Sequence, residues 1–328
     1  MGFNDKPNDN MGASNGAVDS GPLNNGALDK GSGEALREDG VFDVVTPAQP
    51  AMAAVFASPH SGTDYRAEFL ADSRLDLATL RRSEDCFVDQ IFGGAPSFGA
   101  PLIRAHFPRA FIDPNREPFE LDPDMFEDHL PDYVNAYSQR VAGGIGTIAR
   151  VVASGEEIYG KKLRFAEAAA RINLYYRPYH RALQRLIETT RARHGHCLLV
   201  DCHSMPSIGG PMDRDPGRTR VDMVLGDAFG TACAPQLTDR VESLLTGFGY
   251  RVARNMPYSG GYTTVHYGRP EASVHALQIE INRAIYMDER RFAPIAGMAK
   301  LIAHVNELIA MLKRDAPGII APLAKAAQ

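Results

Sequence analysis

Positive charge is the first thing missing from this 328-residue sequence: 35 Lys and Arg stand against 40 Asp and Glu, a formal net charge of −5. A nucleic-acid partner would call for a clustered basic surface, so small-molecule chemistry is the better expectation. Cysteine is sparse as well, with Cys86, Cys197, Cys202 and Cys233 forming no C-x-x-C pair. Such usage argues against a disulfide framework and for a reducing compartment. No apolar run approaches the roughly 20 residues that span a bilayer, and the first residues show no basic stretch leading into an apolar signal core. The cytoplasm is therefore the expected location, with no membrane partner. The H-E-x-x-H zinc signature is absent, and Gly143-Gly144-Ile145-Gly146 lacks the spacing of a nucleotide loop and reads as a turn.

What is present is 44% hydrophobic and 23% charged content, ordinary for a globular chain long enough to bury a real core. Residues 1–40 are the exception. They are rich in Gly, Asn, Asp and Ser, bury too little apolar surface to offset the entropy of ordering, and are expected to form a disordered tail. From about Val41 onward apolar strands alternate with helical patterns. This predicts a single α/β domain over residues 41–328, with a mixed, largely parallel central sheet flanked by helices. Strand-like runs cover residues 53–60, 102–112, 197–203, 222–227, 250–254 and 275–281. Helical spacing covers 66–80, 162–194, 236–248 and 292–312, with Pro178 expected to divide the second of these into two helices.

Two of the strands stop on a histidine: Ala53-Ala54-Val55-Phe56-Ala57-Ser58-Pro59-His60 and Cys197-Leu198-Leu199-Val200-Asp201-Cys202-His203. The carboxyl edge of an open α/β sheet is where such folds assemble active sites, and imidazole is the commonest ligand of a catalytic metal. His60 and His203 are thus two candidate zinc ligands. A catalytic zinc site typically adds a carboxylate and keeps a position for water. Asp64, Glu84, Asp85, Asp89 and Asp201 all lie close enough in sequence to supply it. Asp201, two residues before His203 on one strand face, could instead orient that imidazole. Glu280 stands in the apolar strand Ala276-Leu277-Gln278-Ile279-Glu280-Ile281, where an unpaired charge is unfavourable. It either pairs with Arg283 or serves as the proton-transferring base of a hydrolase. Arg116, Arg218, Arg220, Arg269 and Arg283 sit in loops or at strand ends near these candidates and together suggest an anionic ligand. Two other readings compete. One is a serine hydrolase using Ser61 or Ser204, although Ser204 and His203 are adjacent on a strand and point to opposite faces. The other is a non-catalytic protein that binds an acidic amino acid.

Laid out in order, several segments resemble the N-formylglutamate amidohydrolase family, whose fold resembles the zinc carboxypeptidases and aspartoacylases. They are Pro59-His60-Ser61-Gly62, Ile112-Asp113-Pro114-Asn115-Arg116, Asp201-Cys202-His203-Ser204-Met205-Pro206-Ser207, Val224-Leu225-Gly226-Asp227, Pro257-Tyr258-Ser259-Gly260-Gly261-Tyr262, His266-Tyr267-Gly268-Arg269-Pro270 and Gln278-Ile279-Glu280-Ile281-Asn282-Arg283. The resemblance covers roughly residues 60–291. It implies one zinc ion on His60, His203 and Asp85, with Glu280 as general base. The glutamate that carboxypeptidases carry three residues after the first histidine is replaced by Thr63, and Cys86 stands where the family often has tryptophan. The implied reaction is removal of the formyl group from N-formyl-L-glutamate or a similar N-acyl acidic amino acid, a small anionic substrate of the kind met in histidine breakdown. Arg116 would hold the developing oxyanion, and Asn115, Arg218, Arg220, Tyr262 and Arg283 would anchor the substrate carboxylates. The oligomeric state is left open by the sequence.

Overall fold

Alternating apolar runs become one eight-stranded sheet in a computed structural model that describes residues 37–38, 40–211 and 213–321. The tail expected over residues 1–40 lies almost wholly outside the described residues. The strands are β1 (Arg37–Glu38), β2 (Phe42–Val45), β3 (Ala54–Ser58), β4 (Leu102–Ala105), β5 (Cys197–Met205), β6 (Met223–Gly226), β7 (Val252–Arg254) and β8 (Val274–Asn282). Their spatial order is β1-β2-β4-β3-β5-β8-β6-β7. The centre, β4-β3-β5-β8, is parallel, as is β6 with β7, whereas β1–β2, β2–β4 and β6–β8 run antiparallel. The mixed, largely parallel α/β domain is as the sequence predicts.

β5 and β8 are buried at every position because helices cover both faces of the sheet centre. On one face Leu198, Val200, Cys202, Leu277, Ile279 and Ile281 pack against the helices Pro235–Gly247 and Gly297–Ile320. This face is apolar between His275 at one end and Ser204 at the other, and each Leu or Ile buried there contributes about 1.5–3 kcal/mol. On the other face Leu199 and Ala276 pack on Tyr179, Leu183 and Ile187 of the helix Arg177–His194. Beyond them this face turns polar, with Asp201 and His203 on β5 beside Gln278 and Glu280 on β8. The core thus ends where the polar side chains begin, at the carboxyl ends of the parallel strands.

Several elements differ from the sequence pattern. His203 lies inside β5 rather than at its end, because pairing with β8 continues to Met205 opposite Asn282. Strand β4 stops at Ala105, well short of residue 112. Pro108, which has no N–H to give a ladder, instead begins a turn closed by Phe111 N–H on its carbonyl. Residues 66–80 form two short helices, Ala67–Asp72 and Leu77–Leu80, interrupted at Ser73 by a bridge to Tyr159. Pro178 does not split the long helical region. The turn Ile172–Tyr176 widens to a π-helix between Phe165–Arg171 and Arg177–His194, so the helix passes the proline without breaking. The final helix runs Gly297–Ile320, and Ala293–Pro294 pairs instead with Met287–Asp288.

Candidate metal centre and active site

Each of the two histidines is set by backbone and then fixed by a carboxylate. His60 follows β3 across Ser58-Pro59, and its carbonyl accepts the N–H of Asp85 at 3.0 Å, which draws that distant aspartate to its side. His203 is carried by β5 directly opposite Glu280 on β8. Nε2 of His60 lies 2.7 Å from Asp113 Oδ1, and Nε2 of His203 lies 2.9 Å from Asp201 Oδ1. With each Nε2–H donated to a carboxylate, both Nδ1 atoms turn to Asp85 Oδ2, at 3.4 Å from His60 and 2.9 Å from His203.

The three ligand atoms of His60, Asp85 and His203 lie within 4.8 Å of one another, and all three residues are buried. Among the described residues His60 Nδ1 has no hydrogen-bond partner, a buried acceptor beside the other two ligand atoms. Two imidazole nitrogens and one carboxylate oxygen are the donor set of a catalytic zinc site. The residues therefore fit the ion that the sequence suggested.

The local charge calls for a cation. Burial by itself lowers the His203 pKa, but Asp201, Asp85 and Glu280 outweigh it and hold the imidazole well above its usual range. Burial raises Asp85 and Asp113, yet both stay well below the usual carboxylate range. His203 and His60 act on Asp85, and Arg109, His60 and Arg116 act on Asp113. Glu280 is the exception. Burial pushes its carboxyl up to about 7, with His203 and Arg109 opposing and Asp85 and Asp201 adding to the rise. Among the described residues its direct partner is the Gln278 amide, whose Nε2 donates to Oε1 at 2.7 Å.

The turn that carries Asp113 is braced from three sides. Asp113 Oδ1 accepts the Asn115 N–H at 2.8 Å, an Asx turn around Pro114. His180, which burial lowers to about 4 and so keeps neutral, donates Nε2–H to the Pro114 carbonyl at 2.8 Å, and Tyr176 donates its hydroxyl to the Arg116 carbonyl at 2.9 Å. Both residues come from the helical stretch around the π turn. Asn115 in turn donates to Asp201 Oδ2 at 3.3 Å and accepts the Thr263 N–H at 2.8 Å. Gly261 makes this contact possible, since a Cβ there would sit 2.4 Å from the Asn115 amide nitrogen.

A cavity of about 280 Å³ opens over His60, His203 and Glu280, the lower end of the range that takes small molecules. Arg109, Arg116, Arg140 and Arg214 line it. Arg109 donates to Asp113 Oδ2 at 2.6 Å, and Arg116 donates Nε to the Ile145 carbonyl and Nη1 to the Asn115 carbonyl, both at 2.8 Å. Arg140 only approaches Glu120, at 3.6 Å, and Arg214 makes no ion pair among the described residues. Arginine donors are thus open at the mouth and engaged at the base.

Sequence reasoning placed His60, Asp85, His203, Glu280, Asn115 and Arg116 here, and the structure brings these together. Four other candidates are elsewhere. Arg218 is exposed on its loop and does not line the cavity. Arg220 is buried with its guanidinium held by Asp213 and Asp215, so it braces the loop. Tyr262 stacks on His266 and packs against His180, outside the cavity lining. Arg283 sits behind Asp85, donating to Asp85 Oδ1 at 3.1 Å, the Arg82 carbonyl and Ser204 Oγ, so it pairs with Asp85 rather than Glu280. Ser204 is engaged by Arg283 and Ser61 by Ser58, and neither meets a histidine. Asp113 is not among the sequence candidates, although it lies in the Asp113-Pro114-Asn115-Arg116 run that carries two of them. Arg109 and Arg214 lie in irregular segments and Arg140 in the single-turn helix Gln139–Ala142, none of which is long enough to carry a periodic signal.

Against known proteins, residues 52–287 match the family model of N-formylglutamate amidohydrolase. The N-formylglutamate deformylase of Pseudomonas aeruginosa is 30% identical over 260 residues, covering 78% of this chain and 89% of its own. That of Pseudomonas putida is 29% identical over 239 residues, covering 72% and 82%. Among solved structures, the N-formylglutamate amidohydrolase from Ralstonia eutropha JMP134 superposes with a TM-score of 0.78 at 37% identity, covering 85% of this chain and 100% of that one.

Proposed function

The chain belongs to the N-formylglutamate amidohydrolase family, and from that premise we propose that it hydrolyses N-formyl-L-glutamate, or a similar N-acyl acidic amino acid, to the free carboxylic acid and the amino acid. The observation that carries this reading is the buried His60–Asp85–His203 group beside Glu280, under a cavity lined by arginines. One zinc ion would be held by Nδ1 of His60, Nδ1 of His203 and Asp85 Oδ2. When bound, such an ion polarises the amide carbonyl and acidifies water.

The side chains supply the remainder. Glu280, poised near neutrality by burial, takes a proton from the attacking water as its oxygen bonds to the formyl carbon. It returns that proton to the nitrogen as the C–N bond breaks, giving formate and the amine. Arg116, anchored through Nε and Nη1, keeps Nη2 for the oxygen that gains charge in the transition state. Asn115 and Arg283 position the ligands rather than touch substrate. The two carboxylates of a glutamate-like substrate fall to Arg140 and Arg214, whose donors are open at the mouth. We read the enzyme as cytoplasmic and its reaction as a step of histidine breakdown. Four free, buried cysteines support a reducing compartment, and among the described residues no helix is long and apolar enough to cross a membrane.

The test is formate release from N-formyl-L-glutamate with zinc counted per chain. Chelation should abolish release and zinc restore it. Glu280→Gln should lower kcat by about 10²- to 10⁴-fold with zinc content unchanged. Formate release that survives chelation would overturn the metal, and glutamate binding without any release would make the protein a binder.

A further inference from the structure

The base Glu280 borders two spaces, not one. Beside the catalytic cavity lies a chamber of about 130 Å³ that shares Arg109, Arg116, Ile145, Asp213, Tyr258 and Glu280 with it. His60, His203, Arg140 and Arg214 line the first space only. His60, His203 and the arginines assigned to the amino acid therefore line one of the two spaces that Glu280 borders, and the chamber is the other. Its outer end meets a third hollow of about 490 Å³, with which it shares Ala153, Pro206 and Arg283.

The chamber has no evident use in releasing a formyl group, whose only substituent is hydrogen. Three of its polar side chains are engaged elsewhere. Asp113 is held by Arg109 and His60, Ser204 by Arg283, and Asp213 by Arg220 and the Gly210 N–H. What it offers an occupant is the apolar surface of Ala110, Ile145, Ala149 and Val151 together with the polar atoms of Arg116, Tyr258 and Glu280. A volume of about 130 Å³ holds about four water-sized groups, and an apolar surface of that kind takes a short hydrocarbon.

We propose that this chamber is an acyl-chain site, and that the enzyme hydrolyses N-acyl acidic amino acids with chains of two to four carbons in addition to formyl. The inference rests on the proposed amide hydrolysis at Glu280 and extends its substrate class. The acyl carbon lies at the metal centre, the amino acid extends toward Arg140 and Arg214, and the chain passes Glu280 into the chamber. Burial of each added methylene contributes about fourfold to kcat/KM, which offsets the lower electrophilicity of an acyl carbonyl against a formyl one.

The experiment measures glutamate release from N-formyl-, N-acetyl-, N-propionyl- and N-butyryl-L-glutamate by the zinc-loaded enzyme. It compares the wild type with Ala153→Leu, which narrows the exposed outer end of the chamber. The expected result is acetyl and propionyl turnover within about tenfold of formyl, and a drop of about tenfold or more for propionyl and butyryl in Ala153→Leu with formyl turnover unchanged. Should Ala153→Leu lose formyl turnover too, Ala149→Val, deeper in the chamber, makes the same comparison. Formyl turnover alone in the wild type, or an equal effect on all four substrates in both variants, overturns the acyl site and leaves the proposed function standing. Loss of glutamate release from every substrate, formyl included, removes both.

Discussion

Behind the two histidines, each carboxylate has more than one partner. Asp85 meets both imidazoles and Arg283, Asp113 meets His60 and Arg109, and Asp201 meets His203 and the Thr264 hydroxyl. At the mouth of the same cavity, Arg140 has a single loose approach to Glu120, and Arg214 has no ion pair among the described residues. The difference follows from solvent. In a buried, low-dielectric wall an unpaired charge is strongly unfavourable, so the groups there are paired and thereby held in one geometry. At a wet rim an open guanidinium is tolerated and remains available to a ligand. Rigidity serves the reacting atoms, and openness serves recognition.

The sharpest way to break this comparison is in the wall. Asp113→Asn keeps the shape but removes the charge that fixes the His60 tautomer, and should weaken zinc affinity by about 10- to 100-fold. Competition with a metal-sensing dye would read the change, and an unaltered affinity would show that pairing behind the ligand is incidental. A milder effect is expected at the rim. Arg140→Met and Arg214→Met should each raise KM for N-formyl-L-glutamate about tenfold, the worth of a charged hydrogen bond, with kcat within about threefold. A KM that rises for N-formyl-L-glutamate but not for N-formyl-L-methionine would assign the side-chain carboxylate to that arginine.

The smallest effect tests whether pairing alone, without deep burial, is enough. On β2, between β1 and β4, Asp43 pairs with Arg104 and His106 while both partners remain about a third exposed. Burial, the largest single influence, raises the Asp43 pKa, but the bonds and charge of Arg104 and then His106 together bring it below the ordinary value. A folded-state pKa below the unfolded one adds stability above the unfolded value of about 3.9, and that stability is lost as pH falls through the folded value. Asp43→Asn should therefore cost about 1 kcal/mol or less at pH 7 and flatten the loss of thermal stability below pH 4. A larger loss would mean that pairing, not burial, sets how sensitive the wall is.

The sheet and the reacting residues were legible because they follow short-range rules. Val55-Phe56-Ala57 and Leu198-Leu199-Val200 read as buried parallel strands, and a histidine or glutamate beside such runs stands out because charge there needs a reason. The rim was not legible. Arg218 and Arg220 are two residues apart in one loop, yet one is exposed and the other buried on Asp213 and Asp215, an outcome decided by how the loop folds back. Arg140 lines the cavity from the four-residue helix Gln139–Ala142, too short for a period of 3.6 to be read. Arg283 was misplaced for a related reason. Its partner Asp85 lies 198 positions away in sequence and is brought near by the His60 carbonyl.

The pairing of His203 with Glu280 across β5 and β8 works as a gauge. Adjacent strands stand about 4.8 Å apart wherever they are hydrogen-bonded, so the interval between His203 and Glu280 is set by backbone rather than by neighbouring side chains. A slip of one residue could not shorten it gradually, since it would turn one of the two to the far face. Variation in this protein is therefore channelled. Substitutions in its loops can shift which amide is accepted, in small steps and with little penalty, whereas the chemistry performed on that amide changes only by losing the ladder itself.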